Sequence, residues 1–215
     1  MTSLASFVRP PRIAVWLVDL FAASREAESL LGDMLEEFSH LASKSGVAFA
    51  RKWYWRQTRN TITHLAGNAF RVAPGLIAAT VIGGLLLHRL VSGLPERAIF
   101  AVLHRYQVFD HHFSTYVFFA TDGIAIGHVI ASMLVGCVVA LAAEDREMVA
   151  TMTIGFVLCA ITGAAVWAWV ATGQTFFLGA LPWYFADWFA IVVGGAMVRT
   201  HRSAATILSS HGGFH

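Results

Sequence analysis

Four long apolar stretches occupy the last two thirds of the chain, at residues 76–92, 123–143, 149–171 and 179–198. Each approaches the length, about 20 residues, that a helix needs to cross a hydrocarbon core about 30 Å thick. Backbone amides within lipid must be hydrogen-bonded inside the segment, so we expect every stretch to be a helix. The pattern predicts an all-α fold in which residues 74–202 form a four-helix transmembrane bundle.

The first 73 residues show a different pattern, in which apolar residues recur at helical spacing between polar ones. After Pro10 and Pro11, the first predicted helix has an apolar face made of Ile13, Trp16, Leu17, Leu20 and Phe21. The second has a stripe made of Leu30, Leu31, Met34, Leu35, Phe38 and Leu41, and the third begins near Val47. We therefore expect a small helical domain at 1–73, the membrane domain at 74–202 and a flexible tail at 203–215.

Basic residues are concentrated beside the predicted spans. The chain is 13% charged, against about a quarter in ordinary globular proteins, and its net charge is +2. Eight basic residues flank the spans on one side, and three flank them on the other. The eight are Arg51, Lys52, Arg56, Arg59, Arg71, Arg146, Arg199 and Arg202, and the three are Arg89, Arg97 and Arg105. Because cytoplasmic loops are rich in Lys and Arg, we predict an N-in/C-in topology with a cytoplasmic N-terminal domain. Since the basic residues lie beside a membrane, we predict no nucleic-acid partner. No cleavable signal is visible, so we expect the first span to act as a signal anchor.

Two helices of the N-terminal domain carry charges of opposite sign. The acidic residues Asp33, Glu36 and Glu37 lie on the second helix, and the basic residues Arg51, Lys52 and Arg56 lie on the third, among Trp53, Tyr54 and Trp55. One interpretation is a solvated acidic face beside a basic, aromatic helix at the lipid headgroups. The other is that these charges dock a partner protein.

Residues 10–57 resemble the permease prefix domain found at the N-terminus of some bacterial macrolide-efflux-type ABC permeases. The matching motifs are Pro10-Pro11-Arg12, Trp16-Leu17, the stretch from Leu30 to Phe38 and the stretch from Arg51 to Gln57. In those permeases the prefix precedes a much larger membrane unit with an extracytoplasmic domain, whereas here it precedes four spans. The resemblance implies a bacterial inner-membrane protein associated with export machinery, and it implies no catalytic residue.

The segment at 93–122 is rich in aromatic residues, so we predict an amphipathic helix along the outer leaflet rather than a free loop. Small residues spaced by four predict the helix contacts of the bundle. They are Ala79 and Gly83 in the first span, Gly155, Cys159 and Gly163 in the third, and Ala190 and Gly194 in the fourth. The same faces are compatible with dimerisation.

Five polar residues fall in the outer third of the predicted spans: His88, Arg89, Asp122, His128 and Asp187. Because a charge at mid-bilayer costs about 2.5–3.5 kcal/mol, we expect Asp187 to pair with Arg89 or with a protonated histidine. Three interpretations are open. The residues form a structural cluster, or they form a binding site or proton-linked gate that opens outward, or His88 and His128 ligate a haem.

Other candidate chemistry is weak. His104, Asp110, His111 and His112 could form an external metal site, but their spacing fits no defined zinc pattern. Cys137 and Cys159 are interpreted as small buried residues. Neither a Walker loop nor a Gly-x-Ser-x-Gly motif occurs. We therefore expect a non-enzyme without metal or cofactor.

The first functional hypothesis is an inner-membrane accessory protein that binds a transporter through its N-terminal domain. Its partners would be the lipid bilayer and a membrane protein or further copies of itself. The first alternative is a small stand-alone transporter or channel, although four spans leave little room for an alternating-access cavity. The second alternative is a haem-bearing membrane subunit.

Overall fold

The computed structural model describes residues 9–22, 24–173, 179 and 181–211. The described residues are all-helical: helix accounts for 92% of them, and they contain no strand. The predicted fold class is therefore confirmed at this level. The chain divides into two compact units, Met1–Pro74 and Gly75–His215, and each is described by itself.

The first unit consists of three helices that all contact one another, namely α1 (Arg12–Phe21), α2 (Ser24–Ser45) and α3 (Val47–Val72). Gly46 alone separates α2 from α3, and its φ of 88° lies in the left-handed region that glycine adopts without steric cost. Helix α3 ends before Pro74, whose ring disfavours helical backbone at the preceding residue, Ala73.

The core of the first unit receives two buried residues from each helix. They are Ala14 and Val18 from α1, Met34 and Phe38 from α2, and Ala50 and Tyr54 from α3. The rings of Phe38 and Tyr54 meet edge to face, with centroids 5.7 Å apart and planes at 88°. Such aromatic pairs contribute about 0.5–1.5 kcal/mol beyond the area they bury. Burial also raises the pKa of the Tyr54 hydroxyl.

The face that α1 buries agrees only in part with the predicted one: Leu20 is buried as predicted, but other members of that face are not. Ile13 and Trp16 are 64% and 47% exposed, while Ala14 and Val18 are fully buried. The prediction assigned the large apolar side chains of α1 to its buried face. The structure instead turns the small ones inward, where they let α1 pack closely against α2 and α3. On α2, Met34 and Phe38 are buried as predicted, but Leu35 is 49% exposed. The first unit therefore exposes several large apolar side chains.

The second unit contains the remaining helices of the described chain. In order they are α4 (Pro74–Val91), α5 (Leu94–Arg105), α6 (Val108–His111), α7 (Phe113–Phe118), α8 (Ile124–Ala142), α9 (Glu147–Ala171) and α10 (Leu181–His211). One π-helical turn, Phe119–Gly123, joins α7 to α8, and a 3₁₀ turn, Glu144–Arg146, joins α8 to α9.

Four helical segments of this unit are long and apolar enough to cross a membrane. They are Pro74–Arg105, Phe113–Ala142, Glu144–Ala171 and Leu181–Arg202. Large apolar side chains point outward from them: Phe156, Trp167 and Phe189 are 70%, 78% and 69% exposed. Contiguous apolar surface of this kind is unfavourable in water and favourable in lipid. The chain is thus a multi-pass membrane protein, while its orientation stays a prediction.

The boundaries of the spans differ from those expected from the sequence. The second candidate span begins at Phe113, ten residues before the predicted start at 123, because the helix runs on through the aromatic segment as α7 and the π turn. Helix α5 packs on α8, and a Cβ at Gly127 would lie 2.7 Å from Pro95 Cβ. Helix α10 extends to His211. The first nine residues of the predicted tail are therefore helical, and residues 212–215 lie outside the described chain.

Helices α8 and α10 make the closest contact in the second unit. A Cβ added at Gly136 would collide with the backbone carbonyl of Ile191, and one added at Gly194 would collide with that of Met133. Each glycine thus lets the other helix approach to backbone contact. The surrounding core comprises Val135, Val139, Ala143, Ala150, Ile154 and Ile191, with Val81, Leu85, Leu87 and Val91 of α4 against it. This contact fixes how side chains of α8 and α10 meet.

The small-residue prediction is partly correct. Gly194 lies in the α8–α10 contact, and a Cβ at Gly155 would meet Val192 Cγ2 at 3.4 Å. In contrast, the space around Gly83 and Gly163 is open for at least 4 Å. Helix α4 instead packs through Gly84, against Ile154 and Val139. The predicted face of α4 was therefore wrong by one residue.

Candidate functional site

Asp187 on α10 is the centre of a polar cluster inside the second unit. Its Oδ1 accepts a hydrogen bond from Ser132 Oγ of α8 at 2.6 Å. Its Oδ2 lies 3.6 Å from His88 Nε2 of α4. The side chains of His88 and Asp187 are 17% and 20% exposed. Three helices thus place a hydroxyl and an imidazole around one largely buried carboxylate, which we call the Asp187 cluster.

Two buried imidazole nitrogens of this unit lack hydrogen-bond partners among the described residues. They are the Nε2 atoms of His88 and His128. His128 lies one helical turn before Ser132 on α8, so both side chains are on the same face of the helix. A buried imidazole nitrogen without a partner carries a desolvation cost of about 1–3 kcal/mol. The cluster is therefore incompletely satisfied.

The α8–α10 contact brings Asp187 and Ser132 together. Gly136 lies one turn after Ser132 on α8, and Ile191, whose carbonyl it contacts, lies one turn after Asp187 on α10. Close backbone approach at that turn holds the preceding turns within hydrogen-bonding distance. Ser132 is 3% exposed and was not predicted from the sequence. Ser132 lies four residues after His128, and this helical spacing could have placed it in the polar cluster.

The other two predicted members of the polar cluster are elsewhere. Arg89 is exposed, and the described ion-pair contact of Asp187 is with His88. Of the two partners expected for Asp187, arginine and histidine, the histidine is the one observed. Asp122 is half-buried in the π turn and makes no ion pair within the described chain. Asp187, His88 and Ser132 thus form the cluster, and His128 lies one turn from Ser132 on the same helix.

The longer second span also changes the depth assigned to His128. Counting from residue 123 places His128 about 8 Å from the start of the helix, whereas counting from Phe113 places it about 22 Å from the start. Haem ligation by His88 and His128 stays an alternative interpretation. In this arrangement His88 Nε2 already lies against Asp187 Oδ2, a contact that iron ligation would have to replace.

A second buried charge cluster joins α10 to the turn between α8 and α9. Arg202 Nη1 donates to Glu147 Oε1 at 2.7 Å and to the Glu144 carbonyl at 3.0 Å, and its Nη2 donates to the Leu141 carbonyl at 3.3 Å. Glu147 is only 1% exposed. From the sequence, Arg202 served the topology prediction alone. A glutamate that opens an apolar helix was a usable signal, since burial of a carboxylate requires a cation.

All six predicted docking charges are exposed on the first unit. They are Asp33, Glu36 and Glu37 on α2 and Arg51, Lys52 and Arg56 on α3. None of them makes an ion pair within the described residues. The structure therefore leaves these charges available to solvent or to a ligand. That they dock a partner protein stays a prediction.

A groove of about 900 Å³ opens on the first unit beside the acidic residues of α2. Its apolar lining includes Val15, Trp16, Leu31 and Leu35, and its charged rim comprises Arg9, Arg12, Asp19 and Glu36. Trp16 and Leu35 are about half exposed. Both were predicted to lie in the core. The structure instead makes them the apolar walls of a surface groove.

No group of three or more His, Cys, Asp or Glu side chains is arranged to hold a metal ion in the described chain. His104 stacks on Phe100, with centroids 6.0 Å apart and planes at 23°, and His111 and His112 are exposed. The side chains of His104, Asp110, His111 and His112 are therefore not grouped as ligands in the described chain.

Comparison of the chain with protein-family models, with curated proteins and with solved structures finds no match. The resemblance of residues 10–57 to the permease prefix domain therefore rests on the motifs themselves.

Proposed function

We propose that this protein is a non-enzymatic accessory protein of the bacterial inner membrane that docks a larger membrane partner, an ABC-type exporter, through its N-terminal unit. The observation that carries the proposal is the groove beside α2, with Trp16 and Leu35 about half exposed on its walls. Partly exposed aromatic and aliphatic residues in a groove are typical of protein-binding sites.

The groove fits an amphipathic helix of the partner. The apolar face of such a helix would cover Trp16 and Leu35, and basic residues along its edge would contact Glu36 and the exposed Asp33 and Glu37. Charge complementarity of this kind speeds association and fixes orientation. The four-span unit would anchor the complex in the membrane.

We expect the Trp16→Ala/Leu35→Ala variant to lose the partner. Removing a central aromatic anchor costs about 2 kcal/mol or more, which is about a 30-fold weaker complex. The measurement is affinity purification of the tagged full chain from mild detergent, with the co-purified membrane protein quantified by mass spectrometry. The matched control is Ile13→Ser, because Ile13 is 64% exposed on the same helix but does not line the groove.

Charge reversal supplies an independent arm of the same test. Asp33→Lys/Glu37→Lys should also reduce recovery, whereas Glu28→Lys, an exposed position earlier on α2, should not. Recovery of the wild-type chain alone, or equal recovery of the partner by every variant, would contradict docking at this surface.

A second candidate function is a proton-linked transporter or channel that works by itself. The observation that favours it is the Asp187 cluster, in which a largely buried carboxylate lies 3.6 Å from His88 Nε2, a buried nitrogen without a hydrogen-bond partner among the described residues. Ionisable groups inside a membrane domain often belong to proton or ion pathways.

Under this second candidate, Asp187→Asn should lower proton flux to the level of empty liposomes, because an amide cannot exchange a proton as a carboxylate does. The measurement is the response of a trapped pH-sensitive dye to an imposed pH gradient in proteoliposomes. Asp110→Asn is the control, since Asp110 is exposed and lies outside the cluster. Equal flux in wild-type and Asp187→Asn liposomes would remove the candidate.

A further inference from the structure

Helix α3 carries a second surface groove, of about 480 Å³, whose chemistry differs from that of the groove beside α2. It is lined by Phe49, Lys52, Trp53, Trp55, Arg56 and Arg59. Phe49, Lys52, Arg56 and Arg59 follow one another at steps of three and four residues, so they share one stripe of the helix. The groove therefore combines three cations with aromatic rings.

The cations of this groove have no counter-charge on their own helix. Helix α3 contains five Lys and Arg residues and no acidic residue. Lys52, Arg56 and Arg59 are exposed and make no ion pair within the described part of the chain. Mutual repulsion along one helix face is unfavourable, and a bound anion relieves it.

The aromatic residues indicate that the anion has an apolar part. Phe49 and Trp55 are 52% and 43% exposed beside the cations. Tryptophan favours the boundary between headgroups and acyl chains, where its ring is in apolar surroundings and its N–H remains hydrated. A free phosphate would leave these rings uncovered. A phospholipid supplies both an anionic headgroup and an apolar chain.

The last cation of the groove, Arg59, lies 15 residues before the start of the first candidate span in the sequence. Helix α3 ends at Val72, and the first candidate span begins at Pro74. Basic residues next to a span are worth about 1 kcal/mol each in association with anionic lipid. The chain thus enters a bilayer, which is an anionic apolar surface, directly after α3.

From these observations we propose that the α3 groove is a binding site for anionic phospholipid, in which Lys52, Arg56 and Arg59 contact the headgroup phosphate and Phe49 and Trp55 contact the upper acyl chain. The site is separate from the docking groove, whose lining shares none of these five residues. Lys52 and Arg56 are thereby assigned to lipid rather than to a protein partner.

The test uses the purified full chain in detergent, titrated with dioctanoyl phosphatidylglycerol and followed by native mass spectrometry. Lys52→Gln/Arg56→Gln/Arg59→Gln should weaken lipid binding on the order of 100-fold, because each of the three cations contributes a factor of about five. The matched control is Arg12→Gln/Lys44→Gln/Arg51→Gln. It removes the same charge from exposed positions outside the groove and should bind as the wild type does.

Three further arms separate the sources of the anion and check the fold. Dioctanoyl phosphatidylcholine should bind at least about tenfold more weakly than dioctanoyl phosphatidylglycerol, because its headgroup carries no net charge. Inorganic phosphate at equal concentration should not displace the lipid. Both triple variants should keep the helical circular dichroism of the wild type. Equal loss in the two triple variants, equal binding of both lipids, or displacement by inorganic phosphate would each overturn the proposal.

Discussion

Substitution of Gly136 by alanine is expected to destabilise the four-span unit by about 3 kcal/mol, at the upper end of the range for overpacking. The new Cβ would collide with the backbone carbonyl of Ile191, and backbone cannot rotate aside as a flexible side chain can. The helices α8 and α10 must then separate, which also lengthens the hydrogen bond from Ser132 to Asp187. The measurement is the free energy of unfolding in mixed detergent micelles.

Gly163→Ala supplies the matched control for this prediction. Gly163 also lies within a span, but a Cβ added there would have no neighbouring atom within 4 Å. At this position alanine should be neutral or stabilising by up to about 1 kcal/mol, because it is the better helix former. If the two variants unfolded with the same free energy, the α8–α10 backbone contact would not exist as described.

Substitution of Arg202 by methionine is expected to cost about 3 kcal/mol. The guanidinium bonds to Glu147 and to two backbone carbonyls at the α8–α9 turn. Its removal leaves a carboxylate that is 1% exposed with one cation fewer, and breaking a buried ion pair from one side costs about 3–5 kcal/mol. The lower value applies because Arg202 itself is 40% exposed.

A double substitution distinguishes loss of the ion pair from loss of packing. Glu147→Gln/Arg202→Met removes both charges, so its cost should be smaller than the sum of the two single substitutions by about 1 kcal/mol or more. Asp145→Asn, at an exposed neighbouring acid, should change stability by less than about 0.5 kcal/mol. Strict additivity in unfolding experiments would show that Glu147 and Arg202 do not interact.

The helices themselves could be predicted because they depend on local composition. A run of apolar residues long enough to cross lipid has one favourable backbone conformation, and all four runs are helical segments in the structure. Their ends were less predictable. The aromatic segment after Phe113 is as suitable for an interfacial helix as for a continuing span, and in the structure its helical turns run on into α8.

Rotation about the helix axis explains most of the differences between the helix faces predicted to be buried and those that the structure buries. Adjacent residues on a helix point about 100° apart, so choosing Gly83 in place of Gly84 selects a different face of α4. The same holds for Ile13 and Ala14 on α1. A helix surrounded by lipid is apolar on every side, and its sequence therefore lacks the polar stripe that marks the outward face of a helix in water.

The Asp187 cluster shows the same limit at the level of a site. Depth along a span can be counted from sequence, and this count correctly grouped His88 with Asp187. Which neighbour of the carboxylate faces it, His88 or Arg89, depends on how α4 is rotated. Ser132 and Glu147 were missed because a serine within a span and an acid beside a turn are common without any role.

The contacts of Arg202 can form only after α10 has been synthesised. The hairpin of α8 and α9 is synthesised before Arg202, with Glu147 at its turn. Until α10 has been made, that hairpin carries a carboxylate and two chain carbonyls whose guanidinium partner does not yet exist. Helix α10 therefore completes the polar contacts of this hairpin, and a nascent chain that lacks α10 leaves the Glu147 carboxylate without the Arg202 guanidinium.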